Sequence, residues 1–401
     1  MKWEYKTLDQ LGTVSRGKSK HRPRNDPKLF GGKYPFIQTA DVKNADYYIT
    51  KYSDTYNESG LAQSKLWDKG TLCITIAANI ADTGVLAFPA CFPDSIMGFV
   101  PFEGVANTRF IKYCFDRLQR DCKQISQGTA QDNLSWEKLS TIKFCIPEYK
   151  EQCRIADILS AYDDLIENNQ KQIKLLEEAA QRIYKEWFVD LRFPGYENTK
   201  IVDGVPEEWR VASIADICDT VGGGTPSTKI QSYYEKGDIL WVTPTDITRN
   251  FSLALLDTEK KITPEGLKNS SAKILPAETI LMTSRASVGF FGMCKYEVCT
   301  NQGFISCIPK RENLQMYLLF NLKSRIEEIR QKAGGSTYLE ISKTVFRELK
   351  IILPKDEVLA EYQKDGHDIF DEIYCRTEMI KSLVDMRNRL LPKLMSGKVE
   401  V

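Results

Sequence analysis

The sequence repeats itself with a period of about 200 residues, and this feature constrains the fold more than any other. Residues of the first half return 207 positions later: Thr13 as Thr220, Gly17 as Gly224, Pro147 as Pro354, Ile173 as Ile380 and Leu176 as Leu383. Solenoid units have only about 20 to 50 residues, so each copy must be a domain together with its connector. One architecture has been duplicated.

A second stretch keeps the same order at a spacing of 205. Residues 37–42, Ile-Gln-Thr-Ala-Asp-Val, correspond to residues 242–247, Val-Thr-Pro-Thr-Asp-Ile, and Gly84 corresponds to Gly289. Such a small change in spacing is expected when loops of the two copies differ in length. The copies share framework residues and few surface residues, which indicates two versions of one reader that carry different surfaces.

Composition places the chain among ordinary soluble proteins with room for two or more cores. Of its 401 residues, 42% are hydrophobic and 27% are charged, and residues 1–6 lack the apolar stretch of a signal peptide. No apolar run approaches the roughly 20 residues that span a bilayer, so we expect a cytoplasmic protein. The eleven cysteines include no C-x-x-C pair and are expected to be buried thiols. The two histidines, His21 and His367, make a metal site or a histidine-dependent catalytic centre unexpected.

The net charge of +1 conceals a division along the chain. Residues 1–147 and 207–354 contain more Lys and Arg than Asp and Glu, whereas residues 148–206 and 355–401 contain more Asp and Glu. Positive charge therefore lies where a polyanion could be read, and negative charge lies on the connectors. The alternative is that the positive excess is scattered over the surface without function.

The connectors have the pattern of long helices with a heptad seam. From Ile155 to Trp187 the seam positions step alternately by four and three, and the same phase returns 207 residues later. The central seam residues are Ile166, Asn169, Ile173 and Leu176 in the first helix, and Ile373, Arg376, Ile380 and Leu383 in the second. Asn169 and Arg376 are equivalent polar positions, and such positions fix the register of a coiled coil.

These helices, each about 40 residues and roughly 60 Å long, are expected to pack on each other in antiparallel fashion. The alternative for such a stripe is a helix lying on a globular core. Gly366 is able to delay the start of the second helix, and Pro392 is expected to disrupt its last turn. Between the connectors, short strands such as residues 72–76 and 279–283 alternate with amphipathic helices such as residues 107–120 and 314–331.

The patterns together predict an α+β protein with two mixed α/β domains in tandem repeat, separated by two long antiparallel coiled-coil helices. The predicted boundaries are residues 1–147 for the first domain, 148–206 for the first helix and linker, 207–354 for the second domain, and 355–401 for the second helix.

One motif suggests a nucleotide site. Residues 12–19 match the P-loop pattern G-x-x-x-x-G-K-[ST], but a P-loop needs a preceding strand and a following helix. Helix-spaced Leu8 and Leu11 precede the motif, and Pro23 and Pro27 follow it, so we expect no nucleotide site. What remains is a flexible basic loop, suited to phosphate or groove contacts or else a solvated surface run, with Lys18, Lys20, Arg22 and Arg24.

Three loops of the second copy combine glycines with small hydroxyls, which allow close approach of the backbone to a ligand. Their candidate DNA-binding residues are Thr225, Ser227, Arg285, Ser287, Ser336, Thr337 and Tyr338. Arginine can make a two-pronged contact to guanine, and amides suit adenine. The matching segments of the first copy carry the amides of Asn79, Gln127 and Gln131, together with Thr129. Singly each segment is a turn, but at matching points of both copies they are candidate recognition loops.

Over its whole length the chain resembles the specificity subunit of a type I restriction-modification enzyme. The segments that carry the resemblance are Val-Pro-Glu-Glu-Trp at 205–209, Gly-Gly-Thr-Pro-Ser at 223–227, Thr-Ser-Arg-Ala-Ser-Val-Gly at 283–289 and Arg-Leu-Leu-Pro-Lys-Leu-Met-Ser-Gly at 389–397. The first copy lacks the Val-Pro-Glu lead-in and the Gly-Gly-Thr-Pro loop.

The resemblance implies two target recognition domains that each read one part of a split sequence in double-stranded DNA, and helices that dock two methyltransferase subunits. It implies no catalysis and no cofactor on this chain. S-adenosylmethionine, ATP and Mg²⁺ would bind to partner subunits, namely the methyltransferase and the motor-nuclease restriction subunits. No membrane partner is expected. Two alternatives are a coiled-coil adaptor with protein-binding heads and an enzyme that uses residues 12–19 as an ATP site.

Overall fold

The computed structural model describes residues 3–45, 47–76, 82–125, 136–335 and 338–401. They form two compact units. The first contains Met1–Ile166 and Leu383–Val401, and the second contains Glu167–Ser382.

In the first half of the chain, short strands alternate with helices. The strands are β1 (Glu4–Lys6), β2 (Gly12–Arg16), β3 (Phe30–Phe36), β4 (Tyr48–Ile49), β5 (Asp54–Tyr56), β6 (Leu72–Thr75), β7 (Thr83–Leu86), β8 (Ile96–Pro101) and β9 (Phe144–Ile146). The helices are α1 (Leu8–Leu11), α2 (Thr39–Lys43), α3 (Glu58–Ala62), α4 (Thr108–Ile125), α5 (Trp136–Thr141) and α6 (Tyr149–Tyr184). A five-stranded sheet has the order β2-β8-β6-β7-β4, β3 pairs with β5, and β1 pairs with β9.

The second half follows the same plan. Its strands are β10 (Ile201–Val202), β11 (Val205–Pro206), β12 (Arg210–Ser213), β13 (Cys218–Val221), β14 (Ile239–Val242), β15 (Lys261–Ile262), β16 (Ile280–Thr283), β17 (Phe291–Gly292), β18 (Cys299–Thr300), β19 (Phe304–Pro309) and β20 (Lys350–Leu353). Its helices are α7 (Ile214–Ile217), α8 (Pro244–Thr248), α9 (Pro264–Lys268), α10 (Gln315–Ser324), α11 (Ile326–Gln331), α12 (Lys343–Arg347) and α13 (Asp356–Leu394). The sheets have the orders β13-β19-β16-β17 and β15-β14-β18, and β12 pairs with β20.

The duplication predicted from the sequence extends to strand pairing and to helix caps. The β12/β20 and β13-β19-β16-β17 pairings repeat β1/β9 and β2-β8-β6-β7. The backbone N–H of Gln38 donates to the Asp41 carboxylate at the start of α2, and that of Thr243 donates to the Asp246 carboxylate at the start of α8, both at 2.8 Å. These reciprocal caps lie in the hexapeptides at 37–42 and 242–247 and start the same short helix in both copies.

Local patterns predicted most of these elements. The apolar runs at 72–76 and 279–283 form β6 and β16, in which every residue is buried. The expected helix at 314–331 is divided, because Arg325 leaves helical geometry between α10 and α11 with φ of −106° and ψ of 19°. At this break between the helices, the Arg325 guanidinium donates a hydrogen bond to the backbone carbonyl of Lys350 at 2.5 Å.

Within the second unit the long helices run antiparallel. Tyr184, at the end of α6, packs on Tyr362, near the start of α13, with ring centroids 6.3 Å apart. Toward the other end, Arg376 Nη1 donates to Asn169 Oδ1 at 3.1 Å. Asn169 is buried, so this hydrogen bond pairs a polar group that has lost contact with water, and a shift of the seam would break it. The two repeat-equivalent residues therefore lock the register together.

The antiparallel arrangement also holds in the first unit, where the C-terminal end of α13 meets the first part of α6. The buried carboxylate of Asp163 accepts hydrogen bonds from Arg387 and from Tyr113 of α4. Burial raises the pKa of the Asp163 carboxyl, and the positive charge of Arg387 opposes that rise. Removing one member of a buried ion pair costs about 3 to 5 kcal/mol, so this contact holds the end of α13 on the first unit.

The helices show both arrangements that the heptad stripe allowed, since they pack on each other and also lie on a globular core. The buried seam residues are Ile166, Asn169, Ile173, Ile373, Ile380 and Leu383, and the half-buried ones are Leu176 and Arg376. Nearer the ends the helices lie on a globular core, where Ile155, Ala156, Leu159, Leu391 and Leu394 join the core of the first unit. Each Leu or Ile buried in this way contributes about 1.5 to 3 kcal/mol, so the core anchors the helix ends.

Two expectations about α13 are wrong. The helix starts at Asp356 and passes through Gly366, where an added Cβ would lie 2.8 Å from Cβ of Met316 on α10. Gly366 therefore permits close helix packing instead of delaying the helix. Pro392 lies inside the helix, which ends at Leu394. The proline removes the N–H that would bond to the Asn388 carbonyl, but Arg120 Nη1 donates to that carbonyl at 3.1 Å.

Candidate nucleic-acid interface

In the second unit, the turn after β13 is built for close contact between backbones. A Cβ on Gly223 would lie 2.0 Å from the carbonyl oxygen of Thr300, and the backbone N–H of Gly224 donates to the same oxygen at 2.9 Å. Trp241 Nε1 donates to the Gly224 carbonyl at 3.0 Å. Glycine is therefore required here by packing against the loop before β19, and the fixed turn presents Thr225 at the surface.

The loop after β16 joins the loop before α12. The backbone N–H of Ala286 donates to the Leu339 carbonyl at 2.9 Å, and Arg285 Nε lies 3.6 Å from a carboxylate oxygen of Glu340. Ala286 has φ of 61°, a left-handed conformation that costs a non-glycine residue of order 1 kcal/mol or more. The hydrogen bond holds this turn, and Arg285 is left half-exposed at its edge.

One residue connects the predicted loops of the second copy. The backbone N–H of Ser284 donates to the Gly303 carbonyl at 2.8 Å, and the Ser284 carbonyl accepts from the backbone N–H of Ile341 at 3.1 Å. The structure thus joins the loop at 301–303 to the loops at 222–227 and 284–289, and joins the loop at 284–289 to residues 338–341. The candidate residues Thr225, Ser227, Arg285, Ser287 and Tyr338 are all exposed on this surface.

Two side chains at this surface were missed by the sequence reasoning. Gln302 Oε1 accepts a hydrogen bond from the Thr225 hydroxyl at 2.5 Å. Lys343 Nζ lies against Gly222, where a Cβ would be only 2.1 Å from it. Asn301-Gln302-Gly303 does carry the signal of the first-copy segment Gln127-Gly128, an amide beside a glycine. Lys343 gave no local signal, because only the fold brings it to the glycine turn.

In the first unit, the basic loop after β2 is tied down. The Ser64 hydroxyl donates to the Lys18 carbonyl at 2.7 Å, and the backbone N–H of Gly17 donates to the Ile96 carbonyl at 2.9 Å. The side chains of Lys18 and Lys20 are exposed. Burial lowers the pKa of Lys65, and the nearby positive charge of Lys18 lowers it further.

The arginines of this loop have intramolecular partners. Arg22 Nη1 donates to the carbonyls of Ser19 and His21 at 2.6 and 2.8 Å. Arg24 donates to both carboxylate oxygens of Asp94 at 2.7 and 2.8 Å. These hydrogen bonds join the loop to Asp94 and to its own backbone. Its two lysines remain exposed to an incoming phosphate, whereas Arg24 is already neutralised.

The structure also contradicts a nucleotide site at the P-loop match. Gly12–Arg16 forms β2, an extended edge strand paired with β8, so the backbone N–H groups of this segment alternate in direction and do not converge on one phosphate. After Ser19 the next helical element is the 3-10 turn Pro27–Leu29, too far away to point a helix N-terminus at the motif. The enzyme alternative loses its basis.

Several candidate residues lie outside the described residues. They are Asn79, Gln127, Thr129 and Gln131 of the first copy, and Ser336 and Thr337 of the second.

Among the described residues, one group has the composition of a metal site. Ligand atoms of Glu278, His367 and Asp371 lie within 4.8 Å of one another. His367 Nε2 is 3.2 Å from Glu278, and Lys295 Nζ is 2.7 Å from Asp371. The ammonium group of Lys295 balances the negative charge of Asp371, as a metal ion would. We therefore interpret the cluster as polar packing between α13 and the second domain.

The cysteines described by the structure are all free, and only Cys375 among them is exposed. Burial raises the pKa of the Cys299 thiol to about 11, so this thiol is protonated and unreactive at neutral pH. In the described part of the chain, no helix is both long and apolar enough to cross a membrane.

Comparison with known proteins identifies the class to which these domains belong. The family model for the type I restriction modification DNA specificity domain matches residues 1–178 and again residues 206–383. The chain therefore belongs to the type I restriction-modification DNA specificity family and carries its domain twice. It is a specificity subunit with two tandem recognition domains, a non-catalytic component of such systems.

Two relatives and a solved structure are similar to this chain. The MjaIX type I restriction enzyme specificity subunit of Methanocaldococcus jannaschii is 26% identical over 422 residues, which cover 100% of this chain and 94% of that protein. The HindI specificity subunit of Haemophilus influenzae is 25% identical over 328 residues, covering 66% and 71%. The S subunit structure from M. genitalium matches 98% of this chain and 96% of its own with a TM-score of 0.58, at 16% identity. The last comparison supports the fold.

Proposed function

We propose that this chain reads a split sequence in double-stranded DNA, with residues 1–147 reading one part and residues 207–354 the other. The observation that carries the proposal is that chemically unlike loops occupy equivalent places on one repeated frame. The turn after β2 presents the lysines Lys18 and Lys20, and the turn after β13 presents the hydroxyls Thr225 and Ser227. A duplicated scaffold with unlike loops suits two unlike half-sites.

In each domain, contacts would divide between positioning and reading. Lys18 and Lys20 are exposed cations suited to phosphates, which fix orientation without sequence information. Arg285, Ser287 and Tyr338 are exposed donors on the joined loops, suited to base edges. The remaining proposed contacts are Arg22, Arg24, Asn79, Gln127, Thr129, Gln131, Ser336 and Thr337.

We further propose that α6 and α13 set the number of unread base pairs between the half-sites and dock two methyltransferase subunits. The support is a set of large apolar side chains that remain about half exposed on these helices: Leu165, Leu175, Met379 and Met386. Exposed apolar side chains on a helix face suit a partner protein. In the complex, S-adenosylmethionine would bind to the methyltransferase, and ATP and Mg²⁺ to the motor-nuclease subunits.

The test is to map methylated adenines in the genome of cells with the chain, without it, and with it restored. We expect one bipartite motif to be methylated in cells with the chain, unmethylated in cells without it, and methylated again when the chain is restored. Duplexes with that motif should bind the chain and its methyltransferase tighter than random DNA by about 4 kcal/mol or more. Unchanged methylation, together with equal affinity for all duplexes, would instead favour an adaptor with protein-binding heads.

A further inference from the structure

The loop at residues 301–303 contacts the loops at 222–227 and 284–289 and has a fixed backbone. The backbone N–H of Asn301 donates to the Val242 carbonyl at 3.0 Å, and the backbone N–H of Gly303 donates to Asn301 Oδ1 at 2.9 Å. The Gly303 carbonyl accepts from Ser284 at 2.8 Å. With both neighbours held, the exposed side chain of Gln302 is presented from a rigid base.

The amide of Gln302 is oriented by Thr225. Its oxygen accepts from the Thr225 hydroxyl at 2.5 Å. In the part of the chain that the structure describes, no protein group accepts from the amide nitrogen, so its two N–H donors face solvent. A free glutamine amide can turn either end toward a base, but an amide held by its oxygen offers donors only. Donors alone match bases that present acceptors and no amino donor in the major groove, which are guanine with O6 and N7 and thymine with O4, whereas adenine places its N6 amino group beside N7.

The position equivalent to Gln302 in the first domain is Asp94, which makes an ion pair where Gln302 makes a neutral hydrogen bond. Strand pairing matches Thr75 with Ile96 in one copy and Thr283 with Phe304 in the other. Asp94 and Gln302 each lie two residues before the second member of these pairs. Asp94 contacts Arg24 of the loop after β2, as Gln302 contacts Thr225 of the loop after β13. The frame therefore repeats a contact between two loops, while the side chains that make it differ.

We infer that Gln302 is a specificity-determining residue, which reads an acceptor-bearing base through its amide nitrogen while Thr225 fixes the orientation of the amide. This inference rests on the proposed function and adds one residue and the chemistry of one base to it. The base is a guanine or a thymine in the half-site of the second domain, and the first half-site is independent of Gln302.

The experiment maps the methylated motif in cells that carry Gln302→Glu, Gln302→Ala or Thr225→Val. Glutamate can still accept from Thr225 but offers an acceptor outward, so we expect the chosen base to change to adenine or cytosine, which present amino groups. The alanine variant should accept other bases at that position, with discrimination reduced about tenfold. Thr225→Val frees the amide to turn, so adenine should join the accepted bases. Thr258→Val is the matched control, because the hydroxyl of this half-buried threonine bonds to the Lys260 carbonyl within its own loop.

The outcomes separate this inference from the proposed function. A wild-type motif that depends on the chain, but is unchanged in all three variants, overturns the role of Gln302 alone. Changes in the first half-site, or an equal loss of methylation at all sites with unchanged melting temperature, also overturn it. If the wild-type chain produces no motif, the proposed function itself fails. The variants change one exposed side chain, and thermal melting of the purified complex verifies that they are folded.

Discussion

Arg285 lies between the Glu340 carboxylate and the solvent, and this position leaves its guanidinium free to contact a base. Its guanidinium is half-exposed and 3.6 Å from Glu340, an interaction worth little at a surface. A base edge can therefore replace the carboxylate at small cost, while the hydrogen bond from Ala286 to Leu339 preserves the turn.

Arg285→Ala should weaken binding to the cognate duplex by about 1 to 3 kcal/mol and relax one position in the second half-site, as expected for the loss of a base contact. Competition titrations with singly substituted duplexes measure this. Glu340→Gln is the control, because it keeps the arginine and removes its partner; binding to all duplexes should tighten slightly. A loss that is the same for every duplex would show that Arg285 contacts the DNA backbone.

The lysines and arginines of the first basic loop should differ in their effects. Lys20→Ala or Lys18→Ala should weaken binding to all sequences and reduce the slope of log affinity against log salt by about one. Arg24→Ala should change that slope less, because Asp94 already neutralises Arg24. Titrations at several salt concentrations compare the variants. Equal slopes for Lys20→Ala and Arg24→Ala would mean that Arg24 exchanges its carboxylate for phosphate.

At the scale of elements, the long helices are fixed by paired contacts. The hydrogen bond between Asn169 and Arg376 and the ion pair between Asp163 and Arg387 each set the register of α6 against α13 within one unit. Inserting residues into one helix alone would shift one contact relative to the other. A test of the spacer role must therefore lengthen both helices together.

Seven residues inserted after Ile166 in α6 and seven after Ser382 in α13 preserve the heptad phase and add about 10 Å to each helix. We expect the methylated motif to gain about three unread base pairs, at roughly 3.4 Å each, with both half-sites unchanged. Genome-wide methylation mapping gives the new motif. The control is an insertion in α6 alone, which should destabilise the protein. An unchanged spacer in an active double insertion would show that the helices do not measure the distance.

At the scale of the whole molecule, duplication explains how one chain can carry two readers. Both copies use the same strand pairings and the same reciprocal helix caps, which are framework features. The loops at the ends of those strands differ in residue type, since glycines and hydroxyls stand after β13 where lysines stand after β2. The exposed side chains of these loops, such as Lys18, Lys20, Thr225 and Ser227, can change with little effect on stability, whereas Gly223 is fixed by packing.

The sequence by itself determined the duplication, the antiparallel helices, most strands and the absence of a real P-loop, because these depend on local periodicity and on residue types beside each motif. It misjudged Gly366 and Pro392, whose effects depend on Met316 and Arg120 from distant parts of the chain. The tertiary structure alone decided which loops meet, how Thr225 orients Gln302, and that Arg24 is paired. Such contacts join residues far apart in sequence, and no local pattern records them.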